Sequence, residues 1–364
     1  MMTRRKALAT GAGAIAAGVG GHWIMNAGTS YDDAMRSTWT PHTAKADTDL
    51  DYLIHYATLV ANNHNAQPWL FDRTAGRVTI RADLSRSTPI VDPDNHHLFA
   101  SLGCAAENLM LAASAVGKGA ALAFIADSGG RIDIDLAGNA ARDPLFDAIL
   151  DRQCTRSDYD GQSADNDDLA ALAKAAKIDG CELIVFSERN RVEQALEMIV
   201  AANTKQVEDR AFATELRSWL CFSAAHAITR RDGLYAACSG NPTMPQWLGN
   251  IVFDFVFKAG SENDRHAKQI RSSAGLVVFA TGRDDREHWV RAGRSYQRFT
   301  LKATSLGIRH AFVNQPVEVV SARSEFSKWL GMNGGRPDLV IRFGYAPAMP
   351  KSLRRPIEDA IVQV

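Results

Sequence analysis

The sequence has no excess of charge of either sign. Among its 364 residues are 41 Lys and Arg and 41 Asp and Glu, so the formal net charge at pH 7 is zero. Proteins that bind nucleic acid or anionic membrane surfaces non-specifically carry a basic excess, so the composition argues against both partners. The five cysteines are scattered without a Cys-x-x-Cys pair, which excludes a disulfide framework and a zinc ribbon. The sequence also lacks a Gly-x-Ser-x-Gly elbow, a His-Glu-x-x-His helix and a P-loop lysine motif.

The chain opens with a basic pair and a run of small residues. Thr3-Arg4-Arg5 precedes an Ala- and Gly-rich stretch that ends at Gly21. This pattern is typical of a signal peptide, and adjacent arginines are typical of the twin-arginine type. The stretch, about 15 residues, is too short and too weakly apolar for a stable membrane span. We therefore expect residues 1–30 to be a twin-arginine signal for export to the periplasm or another extracytoplasmic space. The alternative is a disordered basic tail.

Hydrophobic periodicity predicts a mixture of helices and strands after a polar linker at 31–48. A long segment at 228–270, with Pro242 and Pro245, is interpreted as a loop or lid. Helices are predicted at 49–61, 96–116, 144–152, 190–227 and 289–306, and strands at 77–83, 120–126, 131–137, 182–187, 276–281 and 339–343.

The two long helices at 96–116 and 289–306 resemble each other. With an offset of 190 residues, Gly103 corresponds to Gly293 and Gly117 to Gly307, and several apolar positions also coincide. Each helix is flanked by β-rich runs. The simplest interpretation is two copies of one α+β unit in a single chain, the first at 49–143 and the second at 144–364.

Two cationic segments are suited to binding phosphate, because arginine forms bidentate, charge-assisted hydrogen bonds with phosphate oxygens. The first is Arg152-Gln153-Cys154-Thr155-Arg156, and the second is Lys351-Ser352-Leu353-Arg354-Arg355. Taken alone, each segment is better explained as a solvated run of charge at the end of an element than as a phosphate site.

A cluster of amides lies at 62–67, where Asn63, Asn65 and Gln67 alternate. Amide side chains both donate and accept hydrogen bonds, which suits a planar heterocycle such as a flavin or a nucleobase. The alternative is a capping turn before a strand. The adjacent His96 and His97 are interpreted as structural, because neighbouring residues point to different faces of a helix, and no metal site is predicted.

In combination, these segments resemble the nitroreductase superfamily, and most closely its Acg-type branch of FMN-binding oxidoreductases. Asn63-His64-Asn65-Ala66-Gln67-Pro68-Trp69 is similar to the family's "s-x-N-x-Q-P-W" segment, and 152–156 to its "R-x-S-x-R/K" flavin-phosphate segment. The stretch from Arg342 to Pro356 is similar to the closing strand and phosphate-binding tail. The resemblance covers about residues 45–364.

The resemblance implies an α+β nitroreductase fold in which two repeats of one chain form a pseudo-dimer around a single FMN. The flavin phosphate would contact 152–156 and the tail cations, and the amides would contact the flavin edge. Cys154 replaces the usual Ser, and Asn314 stands where the family has an acidic residue beside flavin N5. The implied cofactor-binding residues are Asn63, Asn65, Gln67, Arg152, Cys154, Arg156, Asn314, Gln315, Lys351 and Arg354.

The activity that the resemblance implies is hydride transfer from NAD(P)H through FMN to a small-molecule electron acceptor such as a nitroaromatic or a quinone. The flavin would perform the chemistry, so no catalytic acid or base is assigned. We expect a monomer that imitates a dimer, with no nucleic-acid partner and no stable membrane span. The alternative is a protein that binds or sequesters flavin with little or no turnover.

Overall fold

The computed structural model describes residues 30–45 and 49–362. The predicted signal peptide lies outside these residues except for Ser30. The described part contains helices and strands in mixed order, which confirms the α+β class. The helices are α1 Tyr31–Thr38, α2 Leu50–Thr58, α3 His96–Ala115, α4 Asn166–Ala175, α5 Arg189–Glu208, α6 Arg210–Trp219, α7 Ala224–Arg230, α8 Gln246–Val256, α9 Ala259–Arg271, α10 Arg286–Ser305, α11 Gln315–Glu318 and α12 Val320–Trp329. The strands are β1 Trp69–Thr74, β2 Arg77–Ala82, β3 Lys118–Ile125, β4 Arg131–Asn139, β5 Cys181–Phe186, β6 Leu220–Cys221, β7 Leu234–Tyr235, β8 Gly275–Thr281, β9 Arg309–Phe312 and β10 Arg336–Gly344.

Two four-stranded sheets share one strand order. The first is β1-β2-β4-β3 and the second is β5-β8-β10-β9, so each runs first, second, fourth and third along the chain. All the neighbouring strands in both sheets are antiparallel. In each sheet a 20-residue helix, α3 or α10, connects the second strand to the third. The halves of the chain therefore share the order of their strands and of one long helix. The second half carries additional elements: α5–α9 with β6 and β7 between β5 and β8, and α11 and α12 between β9 and β10.

The helices α3 and α10 cross at two glycines. A Cβ atom added to Gly103 would lie 2.1 Å from the carbonyl oxygen of Val290, and one added to Gly293 would lie 1.9 Å from that of Ala100. The offset of 190 relates Ala100 to Val290 as it relates Gly103 to Gly293. The contact is thus reciprocal, as in the isologous interface of a twofold dimer. Only glycine permits backbones to approach so closely.

One hydrophobic core extends through both halves of the chain. It includes Trp69 and Ile80 from the first sheet, Leu102 from α3, and Phe279 and Phe299 from the second half. Helix α3 is apolar enough to cross a membrane by length and composition, but 89% of its apolar window is buried inside the protein, as in a core helix. The predicted strands at 77–83, 120–126, 131–137, 182–187, 276–281 and 339–343 and both long helices are confirmed.

The prediction of a linker at 31–48 was wrong for its first part. Ser30 caps α1 with a capping box, and Tyr31, Ala34 and Thr38 are buried at helical spacing, with Trp39 buried just after the helix. The Tyr31 hydroxyl donates to the Lys351 carbonyl over 2.9 Å, and the Trp39 indole donates to that of Ser352 over 3.0 Å. Helix α1 therefore covers the C-terminal segment (residues 349–362).

Two further predictions needed correction. The helix expected at 144–152 is only a 3-10 turn, Pro144–Ala148. The loop expected at 228–270 is largely helical, with α8 and α9 between Gln246 and Arg271. Pro245 immediately precedes α8 rather than interrupting it, which is compatible with a helix start. Strands β1 and β9 and helices α4 and α12 were also not predicted.

Candidate functional site

A cavity of about 580 Å³, here called the chamber, lies where residues of both halves meet. Its wall includes Asn63 and His97 from the first half and Tyr296, Asn314 and Gln315 from the second. The opposite wall is formed by α6, α8 and α9, here called the lid helices. Their chamber-lining apolar side chains include Phe212, Leu216, Val252, Phe253 and Val256. Helix α9 contributes polar side chains, including Glu262 and His266, so the lid is apolar at α6 and α8 and polar at α9. The chamber thus combines polar groups with apolar surface, as small-molecule sites do.

A smaller cavity of about 60 Å³, here called the anion pocket, is lined by the four cationic side chains that the sequence predicts as cofactor-binding residues. Arg152, Arg156, Lys351 and Arg354 line it, and no Asp or Glu does so among the described residues. Its volume is enough for about four water molecules, and hence for a tetrahedral oxyanion. The structure therefore brings together segments that lie about 200 residues apart in the sequence.

Arg152 carries the strongest indication of an anionic ligand. Its side chain is 2% exposed, and its Nη2 donates to the Leu59 carbonyl over 3.0 Å. Its Nε and Nη1 are buried without a hydrogen-bond partner among the described residues. A buried charged donor without a partner costs more than an ordinary lost hydrogen bond, so such donors are normally satisfied by a ligand or by water.

Arg354 is also buried, but its donors are already engaged. They reach the carbonyls of Thr58 and Val60, each over 2.8 Å, and the side-chain oxygen of Asn65 over 2.9 Å. Burial, together with the charge of Arg152, lowers the pKa of Arg354 to about 9, so it stays protonated at neutral pH. Arg354 therefore provides positive charge and holds Asn65 in place.

Lys351 lines the pocket in a similar position. Its Nζ donates to the Leu150 carbonyl and lies 5.1 Å from the centre of the Trp39 ring. Exposed Asp151 is 3.8 Å away. Lys351 therefore contributes charge to the pocket from its rim.

The chamber and the anion pocket adjoin each other. Arg156, Asn62, Phe312 and two apolar residues line both cavities. The Nη1 atom of Arg156 is 3.4 Å from the Ser239 hydroxyl, at this junction. The combined space therefore has a narrow cationic end and a wide end with mixed polarity.

The amide segment has an unusual backbone. His64, Asn65 and Gln67 have φ values of 48°, 53° and 56°, in the left-handed region. Asn63 lines the chamber and donates to the Thr88 hydroxyl over 2.7 Å, whereas Asn65 lines the anion pocket. Non-glycine residues in this conformation often mark functional sites.

Gln67 does not join the other predicted residues, and it is not among the residues that line either cavity. Its Nε2 donates to the Arg231 carbonyl over 2.9 Å, and its Oε1 accepts from the Arg355 backbone over 2.9 Å. Gln67 thus ties the amide segment to the C-terminal segment from outside the cavities.

Asn314 and Gln315 line the chamber as a pair. Asn314 accepts from the Val340 backbone over 2.8 Å, which leaves its amide nitrogen 3.2 Å from His97 Nε2. Gln315 Nε2 is 2.9 Å from His266 Nε2, and its Oε1 is buried without a described partner. An unsatisfied acceptor is thus available at this wall.

Two histidines that line the chamber, His64 and His266, were not predicted as site residues. Each has a buried Nδ1 without a described partner. Burial lowers the pKa of each to about 4, so both rings are neutral at pH 7. His64 is part of the amide segment quoted above, but nothing around His266 in the sequence indicates the chamber.

His96 and His97 lie with Asp92 in a buried cluster whose ligand atoms are within 4.8 Å of one another. The Asp92 carboxylate accepts from the backbones of His97 and Leu98, and His96 Nε2 is 2.8 Å from Asp338 Oδ1. Within the cluster, His96 Nδ1 is 3.4 Å from His97 Nδ1, which is 3.4 Å from Asp92 Oδ1. The absence of a metal site stays a prediction.

No protein-family model matches the sequence. The chain is 25% identical over 315 residues to two Mycobacterium tuberculosis proteins that are provisionally named NAD(P)H nitroreductases, from strains CDC 1551 / Oshkosh and H37Rv. Each match covers 82% of this chain and 86% of the relative. This similarity supports assignment to the nitroreductase superfamily.

Among solved structures, the chain is similar to a Bacteroides fragilis nitroreductase with bound FMN, at 15% identity, TM-score 0.37, and coverage of 58% of this chain and 95% of the other. A Desulfitobacterium hafniense nitroreductase with bound FMN gives 18% identity, TM-score 0.38 and coverage of 61% and 98%. The FMN-dependent nitroreductase NfnB of Mycobacterium smegmatis, in complex with NADPH, matches at 14% identity and a TM-score of 0.37, with coverage of 55% of this chain and 86% of the other. At TM-scores this low, the structural matches add no argument to that of the sequence relatives.

Proposed function

We propose that this protein is an FMN-dependent oxidoreductase of the nitroreductase type. It would transfer a hydride from NAD(P)H through FMN to a small electrophilic acceptor such as a nitroaromatic or a quinone. The observation that carries the proposal is the buried guanidinium of Arg152, with two unpartnered donors in a pocket of cations next to a wide chamber. The names of the sequence relatives support the same activity.

The residues present fit FMN. The doubly charged phosphate would be held by Arg152 and Arg156, with Lys351 and Arg354 adding charge from the same pocket. The edge of the flavin ring has donors and acceptors, and the chamber wall offers both in Asn63 and Gln315. Cys154, which also lines the pocket, is a weaker donor than the Ser of the family segment that residues 152–156 resemble.

FMN supplies the hydride chemistry when it is bound. The protein's own residues bind, orient and shield. The bond from the Val340 backbone fixes the Asn314 amide, and His97 holds its other end. The lid helices cover the chamber with apolar side chains, including Phe253, and exclude water from the reacting groups.

We also propose that the chain is an Acg-type member with the nitroreductase fold in two repeats, 49–143 and 144–364, and that it acts as a monomer. The common strand order and the reciprocal glycine contact support a pseudo-twofold arrangement. Such symmetry generates two equivalent interface sites. The cations belong to the second half and the amides to the first, so only one of the two sites is complete and one FMN binds per chain.

The second candidate is a protein that sequesters flavin without turnover. One observation favours it: the lid helices line the chamber extensively, and Phe253 and Phe257 stack there with ring centroids 4.6 Å apart. A cover of this kind restricts access of an acceptor to the ring.

Titration of the purified chain with FMN, followed by flavin fluorescence, tests the binding site. We expect one FMN per chain. Arg152→Ala removes a charged phosphate contact worth about 1.5–3 kcal/mol, so affinity should fall by about 10- to 100-fold. Arg142→Ala is the matched control, because Arg142 is exposed and pairs with Asp147 on the surface. Equal affinity of Arg152→Ala and the unaltered protein contradicts the phosphate site.

Anaerobic addition of NADPH or NADH distinguishes the two candidate functions. Bleaching of the flavin absorbance, followed by reoxidation with a nitroaromatic, is expected of the oxidoreductase. Bound flavin that stays oxidised under the same conditions identifies the sequestering protein.

A further inference from the structure

Cys154 lies within the anion pocket with two polar neighbours from other elements. Its Sγ is 3.8 Å from His310 Nε2 on β9 and 3.7 Å from the Tyr296 hydroxyl on α10. A parallel bridge between the backbones of Cys154 and His310 holds the two residues side by side. The thiol is half-buried and lines the pocket, so a small molecule that enters the pocket meets its sulfur.

The surroundings of Cys154 favour negative charge. Arg152, with its unpartnered donors, is part of the same pocket wall. The titratable and charged groups around the sulfur are Arg152 and Arg156 on its own segment, Cys104 on α3, Tyr159, Cys238, Tyr296 on α10, His310 on β9, and Lys351 and Arg354 on the C-terminal segment. This set contains four cations and no Asp or Glu.

The effect on the thiol is large. Burial by itself raises the pKa of Cys154, but the hydrogen bond with His310 and the charges of His310, Arg152 and Arg156 outweigh it and lower the pKa to about 5. Burial lowers the pKa of His310, whereas its contact with Cys154 acts in the opposite direction, and its Nε2 also lies 3.1 Å from the Tyr296 hydroxyl. At neutral pH the sulfur is therefore a thiolate, the reactive form of cysteine.

Cys238 offers an internal comparison in the same pocket. Its Sγ is 3.3 Å from the Tyr31 hydroxyl, and it is 5% exposed. Burial raises the pKa of Cys238. The two cysteines share one cavity but differ in charge state.

We propose that Cys154 is a modification site. When the pocket holds no phosphate, its sulfur reacts with soft electrophiles and with hydroperoxides. The resulting adduct then excludes phosphate-bearing ligands from the pocket. Only the identity of that ligand as FMN rests on the proposed function. With iodoacetamide, the sulfur's electron pair forms the S–C bond as the C–I bond breaks and iodide leaves. With a hydroperoxide, the S–O bond forms as the O–O bond breaks: the sulfur is oxidised to a sulfenic acid, and the peroxide is reduced to an alkoxide that takes a proton from solvent.

Labelling of the full-length, flavin-free protein with iodoacetamide, quantified for each cysteine by mass spectrometry, tests the site. At pH 6.5 we expect Cys154 to react at least about tenfold faster than Cys238, because its thiolate fraction is much larger, although a low-pKa thiolate is intrinsically less nucleophilic. The Cys154 rate should be nearly constant between pH 6.5 and 8. Equal rates at the two cysteines, or a Cys154 rate that rises about tenfold per pH unit, overturn the proposal.

A protection arm tests the competition with anions. Excess inorganic phosphate or FMN should slow labelling of Cys154 by at least about tenfold, since a bound dianion raises the pKa of the thiol and covers it. Unchanged labelling under saturating phosphate and FMN contradicts the proposed exclusion. Selective labelling with protection by phosphate, in a protein that does not bind FMN, supports this inference and refutes the proposed cofactor. FMN binding without selective labelling of Cys154 refutes this inference and supports the proposed cofactor.

Discussion

The Nη1 atom of Arg354 lies 2.9 Å from the side-chain oxygen of Asn65, 289 residues earlier in the chain. The Asn65 amide nitrogen donates in turn to the carbonyls of Gly233 and Leu353, over 3.1 and 3.2 Å. Asn65 therefore joins the amide segment, the region before β7 and the C-terminal segment. A residue predicted to face a ligand also holds together the walls of the pocket.

Asn65→Leu should lower both stability and flavin affinity. The substitution removes the acceptor for a buried charged group and the donor for two carbonyls, at an expected cost of about 1–3 kcal/mol in the free energy of unfolding without flavin. Chemical denaturation of the flavin-free protein measures this loss. Asn63→Leu is the control for stability, since among the described residues the Asn63 side chain makes one hydrogen bond, to the Thr88 hydroxyl, and is less buried. A variant Asn65→Leu as stable as the unaltered protein contradicts the role of Asn65 as a link between segments.

Gly103→Ala and Gly293→Ala should each destabilise the protein. The added methyl group would lie about 2 Å from a carbonyl oxygen of the partner helix, so α3 and α10 must separate. Overpacking of this kind costs about 1–3 kcal/mol or more. We expect similar losses at the two positions, because the contact is reciprocal.

Gly260→Ala in α9 is the control for the glycine pair, because nothing lies within 4 Å of an added Cβ there. Alanine is the better helix former, so this variant should gain up to about 1 kcal/mol. Thermal unfolding compares the three variants. Neutral effects at both Gly103 and Gly293 refute the close crossing.

Stability should fall in acid through His55, which is 7% exposed and stacks on His42 with ring centroids 3.6 Å apart. Burial, assisted by His42, lowers the pKa of His55 to about 4. Between the unfolded value of about 6.5 and the folded value, the unfolded state binds the proton more tightly. The stabilising effect of neutral His55 is therefore fully present above pH 6.5. As the pH falls towards 4, protonation of His55 in the unfolded state lowers the free energy of unfolding by about 3 kcal/mol.

Denaturant unfolding at pH 7.5, 5.5 and 4.5 measures this dependence. His55→Gln cannot take up the proton, so its stability should fall less steeply with acid than that of the unaltered protein. Other buried histidines, such as His266, titrate in both proteins, and the difference between the two curves isolates His55. Parallel curves contradict the assignment.

Export through the twin-arginine route is tested at the first residues of the chain. Replacement of both Arg4 and Arg5 by lysine should retain the protein in the cytoplasm while its flavin content stays the same, since no predicted cofactor-binding residue precedes Asn63. Lys6→Arg leaves the arginine pair intact and is the control. Fractionation of expressing cells measures location, and unchanged export of the double variant refutes the route.

Local pattern was enough for several features. The helices α3 and α10 have regular apolar spacing and stop at glycines, so their bounds were predictable within a few residues. The cationic and amide segments were recognisable because their residue types are unusual at that density. The offset of 190 residues between the two helices is enough to pair Gly103 with Gly293 from the sequence.

Other features depend on contacts that no local pattern reveals. Gln67 has the same chemistry as Asn65, but it bonds to Arg231 and Arg355 outside the cavities. Helix α8 exposes Trp247, Ile251 and Phe255 and buries Phe253, so it has no single polar face that would identify it as a surface helix. His266 enters the chamber only because α9 folds over it.

The sequence by itself determined the α+β class, the two related long helices and the residue types of the two cationic segments, because these follow from periodicity and side-chain chemistry within short windows. The tertiary structure decided which side chains share a cavity. Arg152 and Arg354 meet because sheet pairing and helix crossing bring distant segments together, and those contacts release free energy only once the whole core is assembled. The charge state of Cys154 depends on the same assembly, since the groups that lower its pKa include His310 on strand β9.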